Sequence, residues 1–117
     1  MSKPLALIVE DDPHLSRIFS ITLSETFETE TVTDGSQALE RLKEVVPHLL
    51  VLDINLPGVS GAEILHAVRS TERLGAVRVI LATADSRQAH DLQDKADIVL
   101  LKPISPAQLR DLSNRLK

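Results

Sequence analysis

Four stretches of the chain, Leu5–Val9, Leu49–Leu52, Val77–Ala82 and Ile98–Leu101, are mostly aliphatic runs, interrupted only by Arg78, rather than alternations of apolar and polar residues. Runs of that length and character predict strands buried on both faces, as in the interior of a parallel sheet. A fifth and weaker strand is expected over Glu28–Val32. Between the strands, apolar residues recur at helical spacing. Leu15, Ile18, Phe19, Thr22 and Leu23 follow Asp12 and Pro13, a cap and a first-turn residue. Ala38, Leu39, Leu42 and Val46 share one face of a second helix that Pro47 should stop. The turn Pro57-Gly58-Val59-Ser60-Gly61 leads into a third, with Ala62, Ile64, Leu65 and Val68 inward. Asp85 can cap a fourth, more polar helix with Ala89, Leu92 and Ala96 inward. Ser105 and Pro106 open a fifth with Leu109, Leu112 and Leu116 on its apolar stripe.

Five strands alternating with five helices predict an α/β fold, a doubly wound five-stranded parallel sheet covered on both sides through right-handed crossovers. The chain has 117 residues, so a single domain over 1–117 is expected. The pattern contains no internal repeat, low-complexity tract or linker.

Composition narrows the classes of function. A hydrophobic fraction of 43% with 26% charged residues is a globular balance, not a disordered one. No apolar run approaches membrane-span length, and the first strand meets acids at once instead of forming a signal h-region, so a cytoplasmic location is expected. There are no cysteines, hence no disulfides and no thiolate metal site. The net charge of -4, the lack of a Lys/Arg run and a complement of aromatics limited to Phe19 and Phe27 argue against a nucleic-acid surface.

In open parallel sheets, ligands gather outside the carboxyl ends of the strands. The residues expected there are Glu10, Asp11 and Asp12 after the first strand, Asp53 after the third, Thr83 after the fourth and Lys102 after the fifth. Carboxylates brought together repel, and a hard cation relieves the repulsion. Magnesium suits this set better than zinc, because His14, His48, His66 and His90 are scattered without ligand spacing. Magnesium takes only one or two protein carboxylates, which leaves an oxygen of Asp53 free to attack phosphorus while Lys102 and Thr83 compensate charge. Each residue alone has a blander reading: Asp12 a cap, Thr83 a turn hydroxyl, Lys102 a solvated strand end. Their joint arrival on one rim is what carries chemistry.

The motifs V-E-D-D-P at 9–13, L-D-I-N-L-P-G-V-S-G at 52–61, L-A-T-A at 81–84 and L-K-P at 101–103 strongly resemble those of the response-regulator receiver domains of two-component signalling, and the resemblance runs through almost the whole chain. It implies the CheY-like, flavodoxin-like strand order 2-1-3-4-5. It also implies that Asp53 is the phosphoacceptor and a ligand of Mg2+ or Mn2+, with Asp11 a direct ligand, Glu10 acting through water and Asn55 supplying a backbone carbonyl. Thr83 and Lys102 would bind the phosphoryl oxygens, the Lys102–Pro103 peptide would be cis, and the face of helix four, strand five and helix five would change on phosphorylation. The implied partners are a histidine kinase or histidine phosphotransfer protein upstream and a separate protein or fused output domain downstream, which would often join just after the fifth helix. The domain itself would catalyse its own phosphorylation and slow dephosphorylation without being a turnover enzyme.

The chain departs from the family in three places. Val99 stands where an aromatic switch residue is usual, and the segment from Thr83 to Lys102 is short by roughly one helical turn. Ile98 replaces an acid used in dimer pairing by many DNA-binding regulators, so that dimer mode is not carried over and Ile98 is expected in the core. Ile21, off the apolar stripe of the first helix, is a candidate partner contact. Two other functions remain open: a pseudo-receiver that signals without phosphate, and a magnesium phosphatase of the haloacid dehalogenase kind, whose nucleophile normally lies on the first strand with its acidic pair last.

Overall fold

The computed structural model describes residues 3–117. Its elements alternate without exception: β1 (Leu5–Val9), α1 (Pro13–Leu23), β2 (Glu28–Val32), α2 (Gly35–Glu44), β3 (Leu49–Asp53), α3 (Gly61–Ser70), a 3-10 turn at Glu72–Leu74, β4 (Arg78–Thr83), α4 (Ser86–Leu92), β5 (Ile98–Leu101) and α5 (Pro106–Arg115). All strand pairs are parallel and the order is β2-β1-β3-β4-β5. The expected doubly wound fold is therefore the observed one.

The pleat divides the core in two. Leu7, Val9, Leu50, Leu52, Val79 and Leu81 point to one side, where Ala38 and Leu42 of α2 and Ile64, Leu65 and Val68 of α3 cover them. Ala6, Ile8, Leu49, Val51 and Ile80 point to the other, beneath Phe19 and Leu23 of α1, Leu109 of α5, and Phe27 from the connection between α1 and β2. Successive strand residues serve opposite layers, and both layers are apolar, so these strands could not alternate with polar residues.

Helix starts follow the predicted capping chemistry. Asp12 accepts from the amides of His14 at 2.9 Å and Leu15 at 3.4 Å, ahead of Pro13. Ser60, Asp85 and Ser105 cap α3, α4 and α5 in the same way.

Several expectations are corrected. Helix α2 stops at Glu44 and Val45 is already extended, so Val46 leaves the apolar face and is 50% exposed; the residue before Pro47 is biased away from helix, and the chain straightens ahead of it. Ala62, in the first turn of α3, faces solvent. Strand β3 continues to Asp53, and β4 runs one residue later than its apolar run, from Arg78 to Thr83. Ala96 lies beyond α4, which has seven residues and none fully buried. Leu92, Ala96 and Val99 are only partly buried against the first layer.

Leu50, at 0% exposure in the central strand, has no room to collapse around a deletion. Leu50→Ala is expected to cost roughly 2–5 kcal/mol, whereas Val46→Lys should stay within about 0.5 kcal/mol. Urea unfolding midpoints of the two variants check the contrast.

Candidate functional site

Parallel pairing sends the ends of β1, β3, β4 and β5 to one rim of the sheet. Val9 pairs with Leu52, and Asp53 lies level with Ala82, so the residues just past β1 and at the end of β3 and β4 arrive together. Glu10, Asp11 and Asp53 each bring a carboxylate oxygen to within 4.8 Å of the others. Glu10 is 1% exposed and Asp53 4% exposed, while Asp11 is open to solvent.

Lys102 spans the two buried acids. Its Nζ lies 3.2 Å from Asp53 Oδ2 and donates to Glu10 Oε1 at 3.3 Å. The main chain of the lysine is tied to the end of β4, because Lys102 N–H donates to Thr83 O at 2.8 Å. The Lys102–Pro103 peptide is cis. The remaining oxygens are held by main chain: Asp12 N–H donates to Glu10 Oε2 at 3.2 Å and Asn55 N–H to Asp53 Oδ1 at 3.2 Å. Gly61 lets α3 start directly against this strand end, since a Cβ there would lie 2.5 Å from both Asp53 O and Ile54 Cα.

Electrostatics follow from burial. The Glu10 carboxyl is pushed up to about 7, first by burial and further by the Asp53 charge, against the lowering effects of the Asp12 amide and Lys102. Burial opposes the charge on Lys102, but the adjacent Asp53 and Glu10 outweigh it and hold the ammonium above its ordinary value. A surplus of carboxylate over ammonium remains on the rim. The donor set is all oxygen, two acids preformed in the protein and one toward water, and it fits a hard divalent cation such as Mg2+ or Mn2+ that keeps several waters.

Thr83 is also on the rim and fully buried, but its hydroxyl is engaged elsewhere. It accepts from Asp85 N–H at 3.0 Å and donates to Gln88 Oε1 at 3.0 Å. Glu10, Asp11, Asp53 and Lys102 are thus brought into one group, and Thr83 is adjacent with its hydroxyl bonded to α4. Gln88 was missed by sequence reasoning, although it stands three residues after the Asp85 cap. Val99 is half-buried under α4, Ile98 is half-buried in the opposite layer, and Ile21 is 62% exposed on α1.

A family model described as the response regulator receiver domain matches residues 6–114. The chain belongs to the response regulator receiver family. This receiver is 35% identical over 104 residues to the DNA-binding response regulator MtrA of Mycolicibacterium smegmatis, covering 88% of this chain and 46% of that protein. It is 37% identical over 110 residues to the phosphate regulon transcriptional regulatory protein PhoB of Rhizobium meliloti, covering 91% and 48%. The receiver thus spans about half the length of these curated relatives. Among solved structures it is similar to the receiver domain of a signal transduction histidine kinase from Syntrophus aciditrophicus, with a TM-score of 0.87 at 29% identity over 97% of this chain and 89% of that one. Among the described residues, no helix is long and apolar enough to cross a membrane.

The raised Glu10 carboxyl sets a pH dependence whose sign is fixed. A carboxyl with a folded-state value near 7 against an ordinary 4.5 favours folding while protonated, so its contribution is complete below the ordinary value and lost as pH rises through about 7. Cation binding runs the other way, because the ion competes with that proton. Mg2+ affinity, followed by calorimetry, is expected to rise by up to about tenfold per pH unit below the folded-state value and to level off above it.

Proposed function

We propose that this receiver is a phosphorylation switch, one domain over residues 1–117, in which Asp53 accepts a phosphoryl group from a phosphohistidine donor. The observation that carries the reading is Lys102 Nζ held between Asp53 and Glu10, beside the solvent-facing Asp11. A lone solvated lysine would not be fixed at 3.2 Å and 3.3 Å from two buried acids.

In the proposed reaction an oxygen of Asp53 attacks phosphorus, the P–N bond to the donor imidazole breaks, and the electron pair leaves on that nitrogen. Asp11 and Asp53 would hold Mg2+ directly, with Glu10 acting through water and the Asn55 carbonyl completing the protein ligands. The bound ion supplies charge compensation for the transferring oxygens. Lys102 exchanges its pairing with Asp53 for one with a phosphoryl oxygen, and Thr83 takes another. Burial of Asp53 limits the access of water, which fits slow hydrolysis of the acyl phosphate rather than turnover.

The chain's partners follow from this chemistry: a histidine kinase or histidine phosphotransfer protein as donor, and a separate protein or attached output domain that meets the α4, β5 and α5 face. With a net charge of -4, this domain itself is proposed to make no nucleic-acid contact and to work in the cytoplasm. A second reading, a receiver fold that signals without phosphate, draws on Val99 in place of an aromatic and on the seven-residue α4. A phosphatase of the haloacid dehalogenase kind is disfavoured by the order of the acids along the strands.

Incubation with Mg2+ and a small acyl phosphate, followed by intact mass measurement, distinguishes these readings. Wild type is expected to gain one phosphoryl adduct and Asp53→Asn none. A wild type that binds Mg2+ yet gains no adduct would support the phosphate-independent reading, and rapid phosphate release from many esters would support the phosphatase.

A further inference from the structure

Among the described residues, α4 is the one α-helix without a fully buried side chain, and its one side-chain hydrogen bond into the interior is that between Gln88 and the fully buried Thr83. Gln88 occupies the third helical position after the Asp85 cap, from which a glutamine ordinarily reaches back to the N–H of the cap residue itself. Here the Thr83 hydroxyl is interposed: Asp85 N–H donates to Thr83 Oγ1, and that hydroxyl donates onward to Gln88 Oε1, both at 3.0 Å. At the start of α2 a glutamine at the same position also takes a main-chain N–H without an intermediary, there that of Thr33, one residue before the Asp34 cap: Thr33 N–H donates to Gln37 Oε1 at 3.1 Å.

Removing the hydroxyl from this relay leaves the Asp85 N–H and Gln88 Oε1 as complementary partners, so α4 has two satisfied arrangements, one tied to β4 and one capped on itself. In neither arrangement is the Asp85 N–H left without an acceptor, so exchanging one for the other avoids the penalty of an unpaired group. Val99, beneath α4, is aliphatic and offers no hydrogen-bonding group to follow the threonine.

We propose that Gln88 is a positioning residue that holds the Thr83 hydroxyl on α4, and that handing this hydrogen bond to a phosphoryl oxygen on Asp53 unties α4 from the end of β4. The inference rests on Asp53 being the phosphoacceptor, and it adds the residue against which phosphorylation works. Gln88 touches no reacting atom. Its effect passes through Thr83, lowering the affinity of the site for phosphoryl oxygens until that bond is surrendered.

Beryllium fluoride, a mimic of the phosphoryl group, is titrated in Mg2+ into wild type, Gln88→Met, Gln88→Ala and Gln88→Glu. Met keeps the length of the side chain without a strong acceptor, Ala is a second acceptor-free variant with strong helix propensity, and Glu restores an acceptor oxygen at the same reach. Both acceptor-free variants are expected to bind the mimic about two- to tenfold more tightly than wild type, the worth of one hydrogen bond, and Glu to return toward wild type. In wild type, hydrogen exchange of the α4 amides should accelerate on binding, and in the acceptor-free variants it should be fast beforehand. Unchanged or weaker binding by variants that melt like wild type would overturn the proposal, leaving the bond a helix cap. If wild type takes the mimic and forms the Asp53 adduct while α4 exchange stays constant, the latch alone fails. If wild type takes neither, the phosphoacceptor reading fails and the latch with it.

Discussion

Two carboxylates, Glu10 and Asp53, are buried at adjacent strand ends, and the rim of the sheet is arranged around keeping them there. Desolvation and mutual repulsion both oppose their charge. The fold answers with Lys102 between them and with main-chain N–H groups from Asp12 and Asn55 on the outer oxygens. Neither measure removes the cost, and the Glu10 carboxyl stays raised, first by its burial and further by the Asp53 charge. A site that is strained by surplus negative charge, with one acid open to water, is prepared for a cation.

That arrangement is possible only because the sheet is parallel and buried on both faces. Parallel strands send all their carboxyl ends to the same side, and two apolar layers free the strand interiors from any polar duty. The charged residues are thereby confined to a rim where short segments hold them: the start of α1 behind Asp11, the close approach of Gly61 behind Asp53, and the Lys102 N–H bond to Thr83 O behind the lysine. Thr83 differs from these residues in that its hydroxyl is bonded toward α4 and not to the acids.

Much of this was legible in the sequence, for identifiable reasons. Strands buried on both faces leave unbroken aliphatic runs, so the sheet could be read from Leu5–Val9 and Leu49–Leu52 without knowing their order. The order 2-1-3-4-5 and the family came from motifs, not from periodicity. Asp12, Asp85 and Ser105 announced helix starts because capping is local chemistry. Helix ends were harder: Val46 fits the apolar stripe of α2 by spacing, yet the chain straightens before Pro47 and exposes it. Ala62 failed similarly, since its small side chain carries little information about which way a first turn faces. Gln88 was invisible because its partner, Thr83, is fixed by the end of β4, and hydrogen bonds between an interior hydroxyl and a surface amide have no periodic signature.

The two layers of the core also differ in what they permit over evolutionary time. Helices α1 and α5 are committed to each other and to Phe19, Phe27 and Leu109, all nearly inaccessible. On the other side α4 has no fully buried side chain, and only Leu92 and the following Ala96 reach the core. The solvent-facing positions of α4 can therefore be rewritten without disturbing the carboxylates or the sheet, so this helix can change its surface character while the rim is inherited intact.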